Sequence, residues 1–507
     1  MKILYRLFAF ALLFAVFACN RLDDFGGGGP KGNDPLAIDF EVRTTIQVGG
    51  EGAAEITAYD VINQKLFTVN VESNELSVFS IADIDNPIQL PSIDLSSYGA
   101  PNSVAIAKSI MAVAVEAPIK QDPGFVLLFS TKTQTLLNTF NVGALPDMVT
   151  FSPNGRYIVV ANEGEPNDEY TIDPKGSISI INVYSGQVTD LTFDAFNSQE
   201  AILESNGFRV FGPGADLATD VEPEYITISK DSKTAWVSLQ ENNGLARVNL
   251  QAKQIEAIYP LGYKDYSIIG NEIDASDKDD KKELLNWPLY GMYQPDAIEY
   301  VNINGAEYII TANEGDARDY DGFSEEERAD DLILDATVFP DAAVLLMEEN
   351  LGRIKVTTTL GDTDDDGDYD EIYNYGARSF SIWSPDGSLL YDSGNDIALR
   401  TLDLTPDRFN DNDKRSDDKG AEPESVEVLN IKNKKWILFV GLERTDQTLV
   451  YDITDPLAPS FIEILSSPGD EAPEGLLAIS ANQSPTGKAL LVVSNEDSGT
   501  VTIYENQ

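Results

Sequence analysis

The chain contains no histidine among its 507 residues. Histidine is the usual general base of hydrolases and a common ligand of zinc and haem. Its absence therefore excludes Ser-His-Asp triads and nearly every zinc or haem site. Any chemistry must use carboxylates, Lys, Arg, Tyr, Ser or a bound hard cation. Because only oxygen ligands are plentiful, calcium is the expected metal, ahead of magnesium or manganese.

Cysteine is almost as scarce, since the chain has only Cys19. A short basic start is followed by an apolar stretch, residues 7–17, that is too short for a confident membrane span. Residues 16–19 resemble the lipobox of bacterial lipoproteins, in which the cysteine becomes the lipidated first residue. The other interpretation is an ordinary signal peptide with an unrelated cysteine. We predict a signal peptide over residues 1–18 and attachment to the membrane through lipidated Cys19 only.

Residues 19–37 include four consecutive glycines and predict a flexible tether after the lipidated cysteine. Asp23 and Asp24 resemble the export signals of surface lipoproteins of the Bacteroidetes type. The predicted location is the bacterial cell envelope, as an outer-membrane lipoprotein, and exposure at the cell surface stays open.

Basic residues are also few, with 35 Lys and Arg against 85 Asp and Glu and a formal net charge of -50. This charge excludes non-specific binding of nucleic acid or bare anionic lipid by the globular part. It favours divalent cations as partners, because clustered carboxylates cannot all stay ionised without counter-charge. The simpler interpretation is a solubilising surface, which accounts for the total charge better than for acids at repeated positions.

Seven copies of a strand-turn-strand motif follow the tether. In the clearest copy the first strand begins at Asp147, a turn follows at residues 153–155, and the second strand ends before Glu163. Two more strands follow in most copies, so each unit predicts four antiparallel strands. The array predicts an all-β fold, a seven-bladed β-propeller over residues 38–507. The last unit lacks a strand, and we expect residues 38–48 to complete it and close the ring.

Three stretches exceed the repeat and are predicted to be insertions within this single domain: residues 194–220, with a short helix over 199–204, residues 261–293 and residues 316–375. Residues 407–420 form a further acidic loop. Long insertions in a compact fold are typically functional or disordered.

Each repeat has a leading residue at the start of its first strand and a trailing Glu after its second strand. Both positions lie on the same face of a propeller, so we expect them to gather at one end of the central channel. The leading residues are Glu55, Asn102, Asp147, Glu224, Asp296, Glu424 and Glu474. The trailing residues are Glu72, Glu116, Glu163, Glu241, Glu314, Glu443 and Glu496.

Such a collection of carboxylates would repel strongly, since two unit charges about 4 Å apart cost roughly 4 kcal/mol at an effective dielectric near 20. Bound cations, neighbouring arginines or protonation must offset that repulsion. The other interpretation is that each acid caps a turn within its own blade.

Arg318 and Arg444 follow the trailing acids Glu314 and Glu443 closely, and Arg378 opens the strand after the longest insertion. These arginines either pair with carboxylates inside the molecule or help a cation to hold an anionic ligand such as phosphate. Glu314, Arg318 and Arg444 are therefore the catalytic candidates.

A second predicted calcium site lies in residues 362–370, where acids at alternate positions and a glycine match the core of a calcium-binding loop. Tyr373 stands where a bidentate Glu usually completes the site, so the ligand set is incomplete. The other interpretation is a solvated acidic loop. The predicted ligands are Asp362, Asp364, Asp366, Asp368 and Asp370.

The repeat resembles the YVTN type of bacterial propeller, and longer strings resemble the choice-of-anchor I family. They are residues 161–168, 286–296, 312–320, 375–383 and 441–444. The resemblance covers nearly all of the chain after the tether. It implies an exported bacterial propeller that is attached to the envelope, in a family without a firmly assigned activity.

Two functions remain open at this point. The first is an envelope-anchored, calcium-binding lipoprotein whose acidic channel mouth binds cations and a phosphorylated, glycan or protein ligand. The alternative is a calcium-dependent phosphoesterase, similar to alkaline phosphatases or phytases, that uses metal-activated water. Its metal cage would comprise Asp147, Glu163, Glu224, Asp296, Glu314, Glu424 and Glu443, with Arg318 and Arg444 holding phosphate.

Overall fold

Seven four-stranded antiparallel sheets form the framework of residues 36–507, the part of the chain that the computed structural model describes. The N-terminal strand β1 (Phe40–Gln47) pairs antiparallel with the last strand, Thr500–Asn506, and supplies the fourth strand of the final sheet. The predicted all-β propeller class is confirmed. The signal peptide, Cys19 and nearly all of the tether lie outside the described residues and stay predictions.

Sheets 1 to 4, numbered along the chain, each use four consecutive strands. Their strands are β2 (Thr57–Asp60), β3 (Lys65–Asn70), β4 (Glu75–Ser80) and β5 (Ile88–Asp94); β6 (Pro101–Ala107), β7 (Ile110–Val115), β8 (Pro123–Ser130) and β9 (Leu136–Ala144); β10 (Pro146–Phe151), β11 (Tyr157–Asn162), β12 (Ser177–Asn182) and β13 (Val188–Thr192); and β14 (Pro223–Ile228), β15 (Thr234–Leu239), β16 (Gly244–Asn249) and β17 (Gln254–Pro260).

The remaining strands form sheets 5 to 7 and the inserted segments. In chain order they are β18 (Tyr263–Asp265), β19 (Tyr290–Met292), β20 (Ile298–Ile303), β21 (Ala306–Asn313), β22 (Asp319–Tyr320), β23 (Phe323–Ser324), β24 (Glu326–Arg328), β25 (Lys355–Thr357), β26 (Tyr373–Asn374), β27 (Ser379–Trp383), β28 (Leu389–Asp392), β29 (Pro423–Ile431), β30 (Lys435–Leu442), β31 (Gln447–Asp452), β32 (Ser460–Leu465), β33 (Pro473–Ile479), β34 (Leu490–Asn495) and β35 (Thr500–Asn506). Sheet 5 comprises β20, β21, β27 and β28, sheet 6 runs from β29 to β32, and sheet 7 comprises β33 to β35 with β1.

Helices are short and lie in the connections. The α-helices are α1 (Glu200–Glu204), α2 (Leu217–Asp220), α3 (Ala342–Leu345) and α4 (Asp396–Leu404), and the 3₁₀ turns are Asp194–Gln199, Ala329–Asp331 and Glu443–Thr445. Within residues 36–507, no helix has the length and apolar character needed to cross a membrane.

The tight turns follow directly from the sequence. Between β10 and β11, Gly155 adopts a φ of 69°, a conformation that costs glycine little. The Ser152 hydroxyl accepts a hydrogen bond from the amide of Tyr157 at 2.9 Å, and the side-chain oxygen of Asn154 accepts one from the amide of Arg156 at 2.8 Å. These local bonds fix the hairpin, so the two strands meet in a defined register.

The core lies between the sheets. Seven apolar clusters each join one sheet to the next, and one of them joins sheet 7 back to sheet 1. Inner strands are therefore covered on both faces: every residue of β11 is buried. The ring order places the first strand of each sheet beside the first strands of its neighbours, around a central channel.

Two of the predicted insertions are one structural unit. Residues 261–293 supply β18 and β19, residues 316–375 supply β24, β25 and β26, and these five strands form a single sheet. The unit has its own apolar core, in which Tyr266, Leu351, Ile354 and Val356 are fully buried. The polar composition of the first insertion gave no sign of this core.

Candidate functional site

A cavity of about 820 Å³ runs along the first strands of the seven sheets. We call this cavity, with the residues that line it, the mouth. It brings together all seven leading residues: Glu55, Asn102, Asp147, Glu224, Asp296, Glu424 and Glu474. Of the trailing residues, Glu116, Glu163 and Glu314 line the same space.

A proline and a β-bulge position most of the leading side chains. The first strands of sheets 2, 3, 4, 6 and 7 begin with proline, which has no N–H to donate and so suits the first position of a strand. In all five sheets the strand register shifts just after this proline. A bulge changes the direction of the side chains beside it, which accounts for the leading residues facing the channel.

The mouth is lined by twelve carboxylates and one ammonium group, that of Lys120. Nine of the acids are leading or trailing residues. The others are Glu165, Glu299 and Glu427, which the sequence analysis missed. Glu299 and Glu427 each stand three residues after a leading acid, so a longer repeat alignment would have found these two.

Burial raises the pKa of the mouth acids. It raises the pKa of Glu55 to about 8 and those of Asp147 and Asp296 to about 7. For Glu224 and Glu424, burial and then neighbouring carboxylates raise the pKa well above its usual value. Protonation therefore offsets part of the mutual repulsion at neutral pH.

Glu163, Glu222 and Glu241, from sheets 3 and 4, form the first acid cluster. One oxygen of each lies within 4.8 Å of the others. Glu241 is 5% exposed, and within residues 36–507 its Oε2 has no hydrogen-bond partner. The same is true of Oε2 of Glu224, which is 8% exposed. A buried carboxylate oxygen that accepts no hydrogen bond is energetically unfavourable, so a bound cation or a proton would stabilise this cluster.

Arg318 is committed to partners inside the protein. Its guanidinium forms ion pairs with Asp220 at 2.7 Å and Glu222 at 2.8 Å, and it lies over the ring of Phe211 at 4.5 Å. Its side chain is 1% exposed, and it is not among the residues that line the mouth. Of the two interpretations offered for Arg318, internal pairing is the geometry observed.

The hairpin β22–β23 brings an aromatic side chain to the first acid cluster. Tyr320 packs edge-on against Tyr170, with ring centroids 5.7 Å apart. Burial, followed by the charges of Glu165 and Glu222, raises the pKa of the Tyr320 hydroxyl. This hydroxyl is consequently a neutral hydrogen-bonding group beside the cluster.

Glu314, Glu424 and Glu443, from sheets 5 and 6, form the second acid cluster, with one oxygen of each again within 4.8 Å of the others. This cluster has a basic partner. Nζ of Lys419 lies 2.5 Å from Oε1 of Glu314, and Nε2 of Gln240 donates to Oε2 of Glu314 at 2.9 Å. Lys419 belongs to the 407–420 loop, which the sequence analysis treated only as acidic.

The other predicted basic residues differ from one another. Arg444 pairs with Glu443 at 2.8 Å and with Glu422 at 3.1 Å, and its side chain is 35% exposed. Arg415 also pairs with Glu422, at 2.5 Å. Arg378 instead donates to main-chain carbonyl groups, including that of Asp418 at 2.6 Å. Arg444 thus pairs with a trailing acid, whereas Arg378 contributes to loop structure.

Two trailing residues, Glu72 and Glu496, neither belong to an acid cluster nor line the mouth. Glu496 does not line the mouth, although burial and then Asp497 raise its pKa. Glu72 is exposed and accepts a hydrogen bond from the amide of Gly50 at 2.8 Å. Local capping, the alternative interpretation of these acids, describes Glu72.

The predicted calcium loop is divided into two groups of aspartates. Asp362, Asp364 and Asp366 have oxygens within 4.8 Å of one another, whereas Asp368 and Asp370 instead gather with Asp335. Leu334 and Tyr369 form an isolated β-bridge. Asp335 follows Leu334 and Asp370 follows Tyr369, so this bridge accounts for the division. A single centre held by all five predicted ligands is therefore not the geometry observed.

Comparison with known sequences assigns the chain to a protein family. The profile of the choice-of-anchor I domain matches residues 55–456, which is more than half of the chain. The chain belongs to the choice-of-anchor I family. Membership indicates an exported or cell-surface protein, in agreement with the coarser part of the predicted location.

Gigasin-3a of Magallana gigas is 32% identical to this choice-of-anchor I protein over 183 residues. The match covers 30% of the present chain and 64% of Gigasin-3a, so it spans less than two thirds of that relative. Among solved structures, Kuenenia stuttgartiensis hydrazine synthase has a TM-score of 0.48 at 11% sequence identity. The alignment covers 90% of the present chain and 96% of the hydrazine synthase chain. The Myceliophteria thermophila Cps50 (Swd1) β-propeller domain has a TM-score of 0.48 at 7% identity, with coverages of 92% and 100%.

Proposed function

We propose that this choice-of-anchor I protein is an envelope-anchored, cation-binding propeller whose mouth takes divalent cations, calcium first. Lipidated Cys19 would anchor it in the outer membrane. The observation that carries the proposal is the convergence of carboxylates in the mouth, where Oε2 of Glu224 has no hydrogen-bond partner among the described residues. The same holds for Oε2 of Glu241, which shares the first acid cluster with the lining residue Glu163.

Calcium suits this arrangement for chemical reasons. It takes six to eight oxygen ligands in flexible geometry, and carboxylates are the main ligands that the mouth offers. The only lining base, Lys120, is 3.6 Å from Glu165 and cannot neutralise twelve acids alone. A bound divalent ion would release protons from the acids and replace them as the counter-charge.

The cation would also create a binding surface. A metal ion held by carboxylates can accept further oxygen ligands from a phosphorylated, glycan or protein partner. A nucleic acid partner is disfavoured by the net charge of -50. The expected ligand is therefore a molecule whose oxygen atoms can coordinate the bound cation.

The phosphoesterase alternative needs the same metal ions and, in addition, a basic group for phosphate. Arg318 is fully engaged with Asp220 and Glu222, and Arg444 is shared between Glu443 and Glu422. We therefore rank cation and ligand binding ahead of phosphoester hydrolysis.

Calcium titration of the full chain tests the proposal, with thermal unfolding and aryl phosphate hydrolysis as readouts. The test variant is Glu241→Gln, and the matched control is Glu256→Gln, an exposed position on the outer strand of the same sheet. We expect calcium to raise the Tm of the wild type and of the control, and to raise that of Glu241→Gln much less. A wild-type Tm that ignores calcium would contradict the proposal. Calcium-dependent hydrolysis that disappears in Glu314→Gln would instead favour the phosphoesterase.

A further inference from the structure

We propose that the two acid clusters, which adjoin the mouth through Glu163 and through Glu314 and Glu424, hold different cations. A divalent metal ion would bind at Glu163, Glu222 and Glu241, whereas the second cluster has the ammonium group of Lys419 at Glu314. The inference rests on the proposed cation-binding function and adds to it which cluster takes the metal. It assigns Lys419 the role of a built-in counter-ion that reserves the second cluster.

Lys419 is placed as an ion would be. Its Nζ lies 2.5 Å from Glu314 and 3.7 Å from both Asp316 and Glu422, so three carboxylates surround one ammonium group. Its side chain is only 14% exposed. A calcium ion that shares a carboxylate with a nearby base is unfavourable, because the two like charges repel. In the second cluster two acids are already paired, Glu314 with Lys419 and Glu443 with Arg444, whereas in the first cluster only Glu222 is.

The 407–420 loop is held so that Lys419 reaches the mouth. Asp417 pairs with Arg328 at 2.7 Å and with Arg353 at 3.0 Å, and Asp418 pairs with Lys355 at 3.3 Å. All three partners belong to the inserted sheet or the segment that connects its strands. The loop is thus fixed directly before Lys419, so little conformational freedom is lost when the ammonium group meets Glu314.

The first acid cluster lacks such a partner for most of its charge. Arg318 neutralises Glu222 but also serves Asp220. No ion pair joins Glu163 or Glu241 to a base within the described chain, and Oε2 of Glu241 has no hydrogen-bond partner. Oε2 of Glu224, a leading residue outside the cluster, is also buried and unpartnered. Carboxylate oxygens that have no hydrogen-bond partner can serve as ligands for a divalent ion.

A pair of variants decides which cluster binds the metal. Glu241→Gln and Glu424→Gln each replace a buried glutamate of one cluster, at 5% and 8% exposure, with its isostere that cannot ionise. Isothermal titration of the full chain with calcium chloride should show the mouth site weakened by about tenfold or more in Glu241→Gln, because the charge of the ligands sets calcium affinity. In Glu424→Gln the affinity should stay within about twofold of wild type. Equal losses in both variants, or the larger loss in Glu424→Gln, would overturn the inference.

Substitution of Lys419 tests the built-in counter-ion. Lys419→Met should bind an additional calcium ion, whereas Lys419→Arg and the exposed control Lys414→Met should keep the wild-type stoichiometry. An unchanged stoichiometry in Lys419→Met would overturn the role given to Lys419. Should Lys419→Met not fold in chelator, recovery of folding with calcium would support the role, and failure to recover would contradict it.

The outcomes separate the two levels of proposal. A wild type that binds no calcium in the mouth contradicts both. Calcium that binds to the wild type and is lost in Glu424→Gln rather than Glu241→Gln leaves the proposed function standing and removes only the assignment of clusters.

Discussion

The mouth and the aspartate loop at residues 362–370 carry the same kind of charge in opposite surroundings. The mouth collects carboxylates that come from all around the ring and lie far apart in sequence, and leaves none of them exposed: Glu224, Glu314 and Glu424 are buried and the others half-buried. The loop collects six aspartates within nine residues and leaves Asp364 and Asp366 exposed. Burial dominates the raised pKa of Glu224, whereas the nearby charge of Asp366 dominates that of Asp364.

The free energy cost of clustered carboxylates therefore depends on how well water reaches them. Water and salt screen the aspartates of the loop, so they need no metal ion to coexist. The carboxylates of the mouth lack that screening and require protons, basic side chains or bound cations. Substitutions in the two regions should therefore differ in their effects on the free energy of unfolding and on calcium binding.

The largest effect is expected for Arg318→Met, beside the mouth. The substitution leaves Asp220 and Glu222 buried without their partner, and breaking a buried pair in this way costs about 3–5 kcal/mol. Urea unfolding in the presence of chelator measures the free energy of unfolding. A loss below about 1 kcal/mol would show that unpaired buried charge beside the mouth costs little, and would contradict the role given to burial.

The next effect is a pH dependence that belongs to the mouth. Glu55 has a pKa near 4.5 when unfolded and about 8 when folded, and Asp147 changes from 3.8 to about 7. Between those values the folded state binds more protons than the unfolded state, so the free energy of unfolding falls as pH rises. We expect the chelated protein to be less stable at pH 8 than at pH 5, and calcium to reduce the difference. Stability that rises with pH in chelator would contradict the burial of these acids.

A smaller effect is expected for the double substitution Asp364→Asn and Asp366→Asn in the loop. Without calcium the free energy of unfolding should change by no more than about 0.5 kcal/mol, because both side chains are exposed. With calcium, titration should show the loss of one weak site while the mouth site keeps its affinity. Loss of the mouth site would mean that the two regions are not independent.

The smallest effect is expected for Arg43→Ala on β1. Arg43 pairs with Asp85 at 2.8 Å, but both side chains are well exposed, at 39% and 54%. Exposed pairs contribute about 0–1 kcal/mol, and added salt should remove most of that. The measurement is urea unfolding at low and high salt, beside Arg318→Met. A cost similar to that of Arg318→Met would contradict the role assigned to burial.

The fold could be predicted because its signals are local. The Pro153–Gly155 turn, the alternation of apolar residues on either side and the leading and trailing acids recur at regular spacing. The pairing of β1 with β35 also followed from counting strands in the last repeat. The inserted five-stranded sheet could not be predicted, because its strands are two or three residues long and come from segments separated by β20 and β21.

The candidate site was predicted in part. The leading residues were found because a repeat places equivalent residues at equivalent points of a ring. Lys419 and Glu222 were missed for a different reason: their partners, Glu314 and Arg318, lie about a hundred residues away along the chain. No local pattern marks such a pairing.

The repeating sheets, the lack of histidine chemistry and the position of the leading residues on the channel follow from residue type and short-range spacing, which the amino-acid sequence alone contains. Only the tertiary structure decided which acids share a cluster, which of them keep an oxygen without a partner and which base serves them. Those outcomes depend on distances of a few ångströms between residues that are remote in the chain, and on burial, which makes an unpaired charge costly.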